Sequence, residues 1–200
     1  MNDTARPEME FWFEFASTYS YLSAMRIVSM AQDAGVSVAW RPFLLGPIFH
    51  AQGWETSPFS IYEAKGRNMW RDVERLTSER GLPYQKPSLF PQHTILAARM
   101  SLVALDVEGG ETFVQELYRA NFERGEDLSS PGTISNCLAR TRLDESLLEQ
   151  AVTPGNKQRL KDQTARAIEI GLFGAPSFVV DGEIFWGDDR LEQALRWARK

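Results

Sequence analysis

Apolar residues follow three different rhythms along this chain. Residues 9–15 are dense in aromatics, short, and followed by a turn, which predicts a buried strand. From Thr18 the apolar residues Tyr21, Leu22, Met25 and Val28 recur at helical spacing, and Gly35 supplies a C-terminal stop. Residues 36–40 then alternate, with Val36, Val38 and Trp40 on one side. Strand, helix and strand in this order predict a right-handed βαβ unit with a parallel pair.

The last third changes rhythm. Ser177–Val180 and Glu183–Trp186 are both β-prone, and Asp181-Gly182 between them is a two-residue hairpin turn. Leu191, Ala194, Leu195 and Ala198 then line one face of a final helix. Residues 46–171 read as a helical block, with helices over 62–80, 94–108, 112–124, 133–141, 144–151 and 156–170. Breaks carry Gly and Pro, as at Gly81-Leu82-Pro83, Gly109-Gly110 and Thr153-Pro154-Gly155. The expected architecture is α/β: a thioredoxin-like βαβ…ββα domain, residues 9–45 and 172–200, with a large all-helical insertion over 46–171. Residues 1–8 are polar and predict a disordered tail.

Composition narrows the functions such a fold could serve. Of 200 residues, 43% are hydrophobic and 24% charged, enough apolar material for a real core. A net charge of -5 with both signs interspersed argues against nucleic acid as a partner. Cys137 is the only cysteine, so an internal disulfide and a dithiol redox cycle are both excluded. His50 and His93 are the only histidines, and no metal site is expected. No charged leader and no run of ~18 apolar residues is present, so a cytoplasmic protein with no membrane partner is expected.

The candidate chemistry gathers at two turns. Ser17-Thr18-Tyr19-Ser20 sits where the first strand hands over to the first helix, and its serines occupy the two sulfur positions of a Cys-x-x-Cys arrangement. Unpaired N–H groups and the helix dipole make such a mouth favourable to an anion. Serine forms no useful anion at neutral pH, but its hydroxyl can donate a hydrogen bond to a thiolate arriving from outside. A plain N-cap, worth ~1 kcal/mol, is the alternative. The second turn is Gly171-Leu172-Phe173-Gly174-Ala175-Pro176-Ser177-Phe178, which runs into the hairpin. In a thioredoxin-type fold its Ala175-Pro176 bond would be cis and would turn the Ala175 backbone outward beside Ser17. An ordinary Gly/Pro loop is equally compatible with the octapeptide. Asp188 and Asp189 can cap the last helix or accept an ammonium group.

Four segments, FEFASTYSYL, RPFLLGPIFHAQGW, AKGRNMWRDVERL and GLFGAPSFVVDGEIFWGDDRL, resemble the 2-hydroxychromene-2-carboxylate isomerases. That family is related to kappa-class glutathione transferases and DsbA-type oxidoreductases, and the resemblance spans about residues 10–196. It departs where the family commonly has Ser-Pro-Tyr-Ser, with Thr18 in the proline position, and where Gly-Pro-Ile-Phe-Lys ends here in His50. The resemblance implies a glutathione-dependent isomerase of aromatic catabolism, working as a homodimer on a small aromatic carboxylate. It implies Ser17 as the catalytic residue beside the glutathione sulfur, with Ala175 before Pro176 pairing with the tripeptide backbone. Trp186, Gly187, Asp188 and Asp189 would meet the γ-glutamyl end, and His50, Gly53 and Trp54 would face substrate. A kappa-like transferase and a non-catalytic thioredoxin-like binding module are the competing expectations. Lys65, Arg67, Arg71, Arg75 and Arg99 are possible carboxylate partners, but read better as solvated positions or helical ion-pair partners.

Overall fold

A computed structural model describes residues 6–200. Its sheet has four strands in the order β2-β1-β3-β4: β1 (Glu8–Phe13), β2 (Ser37–Pro42), β3 (Ser177–Val180) and β4 (Glu183–Trp186). β1 pairs in parallel with β2, Phe11 opposite Trp40, and antiparallel with β3, Phe11 opposite Phe178. The β3–β4 hairpin turns at Asp181 and Gly182, whose φ angles of 49° and 82° are those a two-residue turn of this kind needs. β1 begins inside the segment expected as a tail: Glu8 is its first residue, and the Pro7 carbonyl accepts from the Ser37 N–H at 2.9 Å. The rest of that expectation, residues 1–5, lies outside the described residues.

Both faces of β1 are covered, which is why its sequence does not alternate. Met9, Phe11 and Phe13 face one cluster together with Tyr21, Tyr118, Phe122 and Leu191. Trp12 faces the other, with Phe43, Ile48, Ala167 and Leu172. The first cluster is knit by rings: Phe11 lies 5.0 Å from Trp40 and 5.5 Å from Phe178. Each such pair adds ~0.5–1.5 kcal/mol beyond its buried area.

The first helical stretch is two helices, α1 (Thr18–Ala24) and α2 (Ile27–Ala34), broken at Met25 and Arg26. Arg26 leaves helical geometry with φ -125° and ψ -17°, and its guanidinium reaches across to Asp188. α2 ends at Gly35, in the left-handed region as a C-terminal glycine should be. The insertion holds α3 (Leu45–Ala51), α4 (Pro58–Ile61), α5 (Glu63–Glu79), α6 (Ile95–Ala104), α7 (Gly110–Phe122), α8 (Pro131–Thr141), α9 (Leu147–Ala151) and α10 (Pro154–Glu169). The chain closes with a short 3-10 turn, Asp188–Arg190, and α11 (Leu191–Ala198).

α3 and α4 are additions to the expected set. α6 also ends before the expected 108, because Leu105 to Gly109 turn back toward α7. α7 matters most for the site. Its Tyr118 hydroxyl donates to the Glu14 carbonyl at 3.0 Å, and its Asn121 side chain donates to the Phe15 carbonyl at 2.9 Å. The insertion thereby holds the two residues that lead from β1 into the Ser17 turn.

Candidate functional site

Ser17 is the N-cap of α1, in extended geometry at φ -80° and ψ 113°. Its Oγ accepts from the Ser20 N–H at 3.1 Å and donates to the Ala175 carbonyl at 2.8 Å. The capping role weighed from sequence is therefore present, and so is a bond that spans 158 residues to the loop before β3. The Ala175–Pro176 peptide is cis. A second cis peptide, Phe90–Pro91, lies in the insertion and gave no distinctive signal in the sequence. Pro176 in turn accepts from the Gly187 N–H at 2.9 Å. Ser17, Ala175, Pro176 and Gly187 thus form one continuous hydrogen-bonded chain.

Gly187 needs to be glycine, since its φ of 110° and ψ of 152° exclude most side chains. Trp186 stands beside it, half-exposed, with its ring 4.9 Å from Phe173 in an edge-to-face pair. A Cβ on Gly174 would run into the Trp186 indole nitrogen, so the glycine is what lets this pair close over the loop. Both exposed rings rim the Ala175 turn.

The two aspartates part company. Asp189 is exposed, with its carboxylate 3.6 Å from Arg190. Asp188 is 4% exposed and every part of its carboxylate is taken. Oδ1 accepts from Ser23 at 2.9 Å and from Arg26 at 3.1 Å, and Oδ2 accepts from Arg80 at 2.7 Å. The Asp188 side chain, expected at the γ-glutamyl end of a ligand, ties α1, the start of α2 and the end of α5 together. Neither aspartate makes a capping hydrogen bond to the last helix. Arg26 also pairs with Glu192, so the node reaches α11.

His50 and Gly53 are exposed at the end of α3, and Trp54 is half-buried 5.9 Å from Phe49. Among the described residues no hydrogen bond joins these three to Ser17 or Ala175. The link is apolar: Ile48, on the inner side of α3, shares a cluster with Trp12 and Leu172, against which Ala175 packs. On the other side of the mouth, Tyr19 lies 6.4 Å from Phe59 of α4 and donates to Asp72 of α5 at 2.9 Å. Arg67, Arg71 and Arg75 pair with Glu63, Glu74 and Asp72 along an exposed stretch of α5, as expected.

One site residue went unread in the sequence. Glu14, 6% exposed, sits directly below the Ser17 turn. Its Oε2 accepts from the Ala16 N–H at 2.8 Å, and its Oε1 accepts from Thr94 at the start of α6. Burial pushes its carboxyl up to about 7, against smaller opposing effects from Thr94, Ala16 and Ser17. By contrast the Cys137 thiol is buried in the insertion and pushed up to about 12, by burial first and then by Glu116. The chain thus brings no reactive sulfur of its own to the mouth.

Polar groups at the mouth remain open. Thr18 Oγ1 and Ser20 Oγ are buried without partners, and among the described residues the Ala175 N–H donates no hydrogen bond. An unsatisfied buried polar group costs ~1–3 kcal/mol, and such groups also occur away from this turn, as at Tyr84, Arg99 and Asn156. A groove of about 500 Å³ elsewhere runs along β2, lined by Arg41, Asp106, Glu111 and Arg159, and there too Trp40 Nε1 and Arg41 Nε are buried without a hydrogen-bond partner.

A four-stranded mixed sheet, a helix mouth facing a cis-proline loop, and a helical block inserted between the two halves define a thioredoxin-like protein of the helical-insertion type. Residues 8–196 match the DSBA-like thioredoxin domain, and the chain belongs to that family. It is 28% identical to a 2-hydroxychromene-2-carboxylate isomerase of Sphingobium xenophagum, over 92% of this chain and 94% of the relative. It is 27% identical to human glutathione S-transferase kappa 1, over 92% of this chain and 87% of that protein. A solved 2-hydroxychromene-2-carboxylate isomerase superposes with a TM-score of 0.80 at 23% identity, covering 96% of this chain and 94% of the other.

Proposed function

We propose that this chain is a glutathione-dependent isomerase acting on 2-hydroxychromene-2-carboxylate or a closely related intermediate of aromatic degradation. The observation that carries the reading is the Ser17 hydroxyl, at a helix mouth without cysteine, 2.8 Å from the Ala175 carbonyl. The residues present suit glutathione: an unpaired Ala175 N–H for its backbone, the Ser17 hydroxyl for its sulfur, and an exposed carboxylate, Asp189, for its ammonium. Bound glutathione supplies a thiolate that adds reversibly to a conjugated carbon and leaves unchanged, which replaces one hard bond rotation by two easier steps.

The chain's own residues have three tasks. Ser17 has a single hydroxyl proton, held by Ala175; turning it toward a sulfur exchanges a neutral acceptor for an anionic one and gives a stronger bond. The first N–H groups of α1 add to the same field. A free thiol titrates near ~8.5, and each unit of lowering is ~1.4 kcal/mol of preference for the thiolate. Phe173 and Trp186 rim the Ala175 turn and exclude water on that side. Asp188 holds the Gly187 loop at a fixed distance from α1. In this reading α3, with His50, Gly53 and Trp54, faces the substrate, and the protein is a cytoplasmic homodimer.

The relation to glutathione S-transferase kappa 1 favours one second reading, a transferase that leaves glutathione on its product. The chromene-carboxylate given with glutathione at one-tenth its concentration separates the two. Full conversion with glutathione recovered supports the isomerase, and conversion that stops when glutathione runs out supports the transferase. No conversion at any glutathione concentration removes the proposed substrate.

A further inference from the structure

Glu14 is a buried acid that the steps above do not use, one turn of chain below the proposed sulfur site. Its carboxylate bonds the N–H of Ala16, the residue adjoining Ser17, and its own carbonyl accepts from the Ser17 N–H at 3.0 Å. Consecutive Cα atoms are only ~3.8 Å apart, so acid and sulfur site share a short stretch of backbone.

No opposite charge shields one from the other. The influences on the Glu14 carboxyl are burial and neutral donors only. From the start of α6 it meets the Thr94 hydroxyl, and from the turn before α1 the N–H groups of Ala16 and Ser17. From α7 it faces the Tyr118 phenol, which burial holds well above its usual range and so keeps neutral. Two like charges this close in a dry site do not ionise independently.

We propose that Glu14 shares one ionisation with the thiol bound at Ser17, so that a single negative charge and a single proton are held between the two. The inference rests on the glutathione reading of the site. As the thiol S–H bond is lost, Glu14 gains one O–H bond, and the charge of the pair stays at minus one. Glu14 thereby takes up the proton that thiolate formation releases and sets the pH at which the thiolate appears. It touches neither sulfur nor substrate and is a positioning residue. In its protonated form it adds no charge beside the sulfur; ionised, it opposes the thiolate. That balance suits a reaction in which the same sulfur must both attack and leave, since too stable a thiolate attacks poorly.

Glu14→Gln keeps the shape and an acceptor for Ala16 while removing the charge. Two titrations of this variant and the wild type decide the matter. Without glutathione, the native acid binds its proton more tightly than the unfolded chain does. The wild type therefore loses stability relative to the variant as pH rises from 4.5 to about 7, and the difference in Tm levels off above that. With glutathione, thiolate absorbance in the variant rises at a pH lower by about 1 unit than in the wild type. If the Gln variant does not fold, Thr94→Val removes a donor to the ionised acid and lowers the same midpoint by less. Thiolate curves with one common midpoint overturn the inference and leave the glutathione reading intact. No thiolate signal in the wild type at any pH overturns both.

Discussion

The two ends of α1 treat their polar groups in opposite ways. At the Asp188 node beside its C-terminal half, both carboxylate oxygens are satisfied by Ser23, Arg26 and Arg80, and the one buried atom left without a partner is Arg80 Nη1, the nitrogen that does not bond the carboxylate. At its N-terminal mouth, Thr18 Oγ1 and Ser20 Oγ are buried with no partner, and Ser17 spends its one proton on a carbonyl. A satisfied buried network rigidifies its surroundings, and an unsatisfied buried group costs stability. In the proposed reading, the contrast separates the part of the loop region that holds the site in place from the part that would receive a guest. It also explains why two adjacent aspartates serve different ends: Asp188 faces inward between two arginines, while Asp189 points to solvent.

The sharpest way to break this contrast is to empty the node. Asp188→Ala leaves Arg26 and Arg80 without their shared counter-charge, at side-chain exposures of only 19% and 25%. Removing one partner of a buried pair costs ~3–5 kcal/mol. Because both arginines keep some contact with water, about 3 kcal/mol is expected, read as a lower urea midpoint. A loss below ~1 kcal/mol would mean the node is an ordinary surface cluster.

Asp189→Asn should do the reverse, leaving stability within ~0.5 kcal/mol of wild type. Glutathione affinity by calorimetry should fall about tenfold, the value of one charge-assisted hydrogen bond. Equal affinity in the two proteins would take Asp189 out of the γ-glutamyl site. At the small end, Arg71→Ala removes an exposed pair with Glu74 at 3.0 Å and should change the urea midpoint by less than ~0.5 kcal/mol. A larger change there would show that the α5 stretch carries more than solvated charge.

The sequence told the two regions apart unequally. β1, β2 and the β3–β4 hairpin were readable because their signals are local: an aromatic run, an alternation and Asp181-Gly182. Ser17 and Pro176 were readable through motif resemblance, and the structure puts them within one hydrogen-bonded chain. The node was hidden because its partners Arg80, Arg26 and Ser23 are 108, 162 and 165 residues from Asp188, beyond any periodicity. The break at Arg26 was hidden for the same reason, since the apolar spacing carries on past it. α4 had a usable signal, Ser57 as N-cap before Pro58, that the longer α5 pattern overshadowed. Glu14 resembled an ordinary polar residue at a strand end. Only the packing of α6 and α7 above it shows that it is enclosed.

The account depends most on the claim that the α1 mouth, through the Ser17 hydroxyl, stabilises a thiolate carried by a guest. Thiolate absorbance of bound glutathione, followed across pH in the wild type and in Ser17→Ala, tests that claim directly. The expected wild-type midpoint lies below the ~8.5 of a free thiol, and the expected variant midpoint returns toward it. Loss of the cap itself should cost only ~1 kcal/mol of stability, so the variant remains folded for the comparison. Superimposable curves from the two proteins, or a wild-type midpoint at the free-thiol value, would contradict the account.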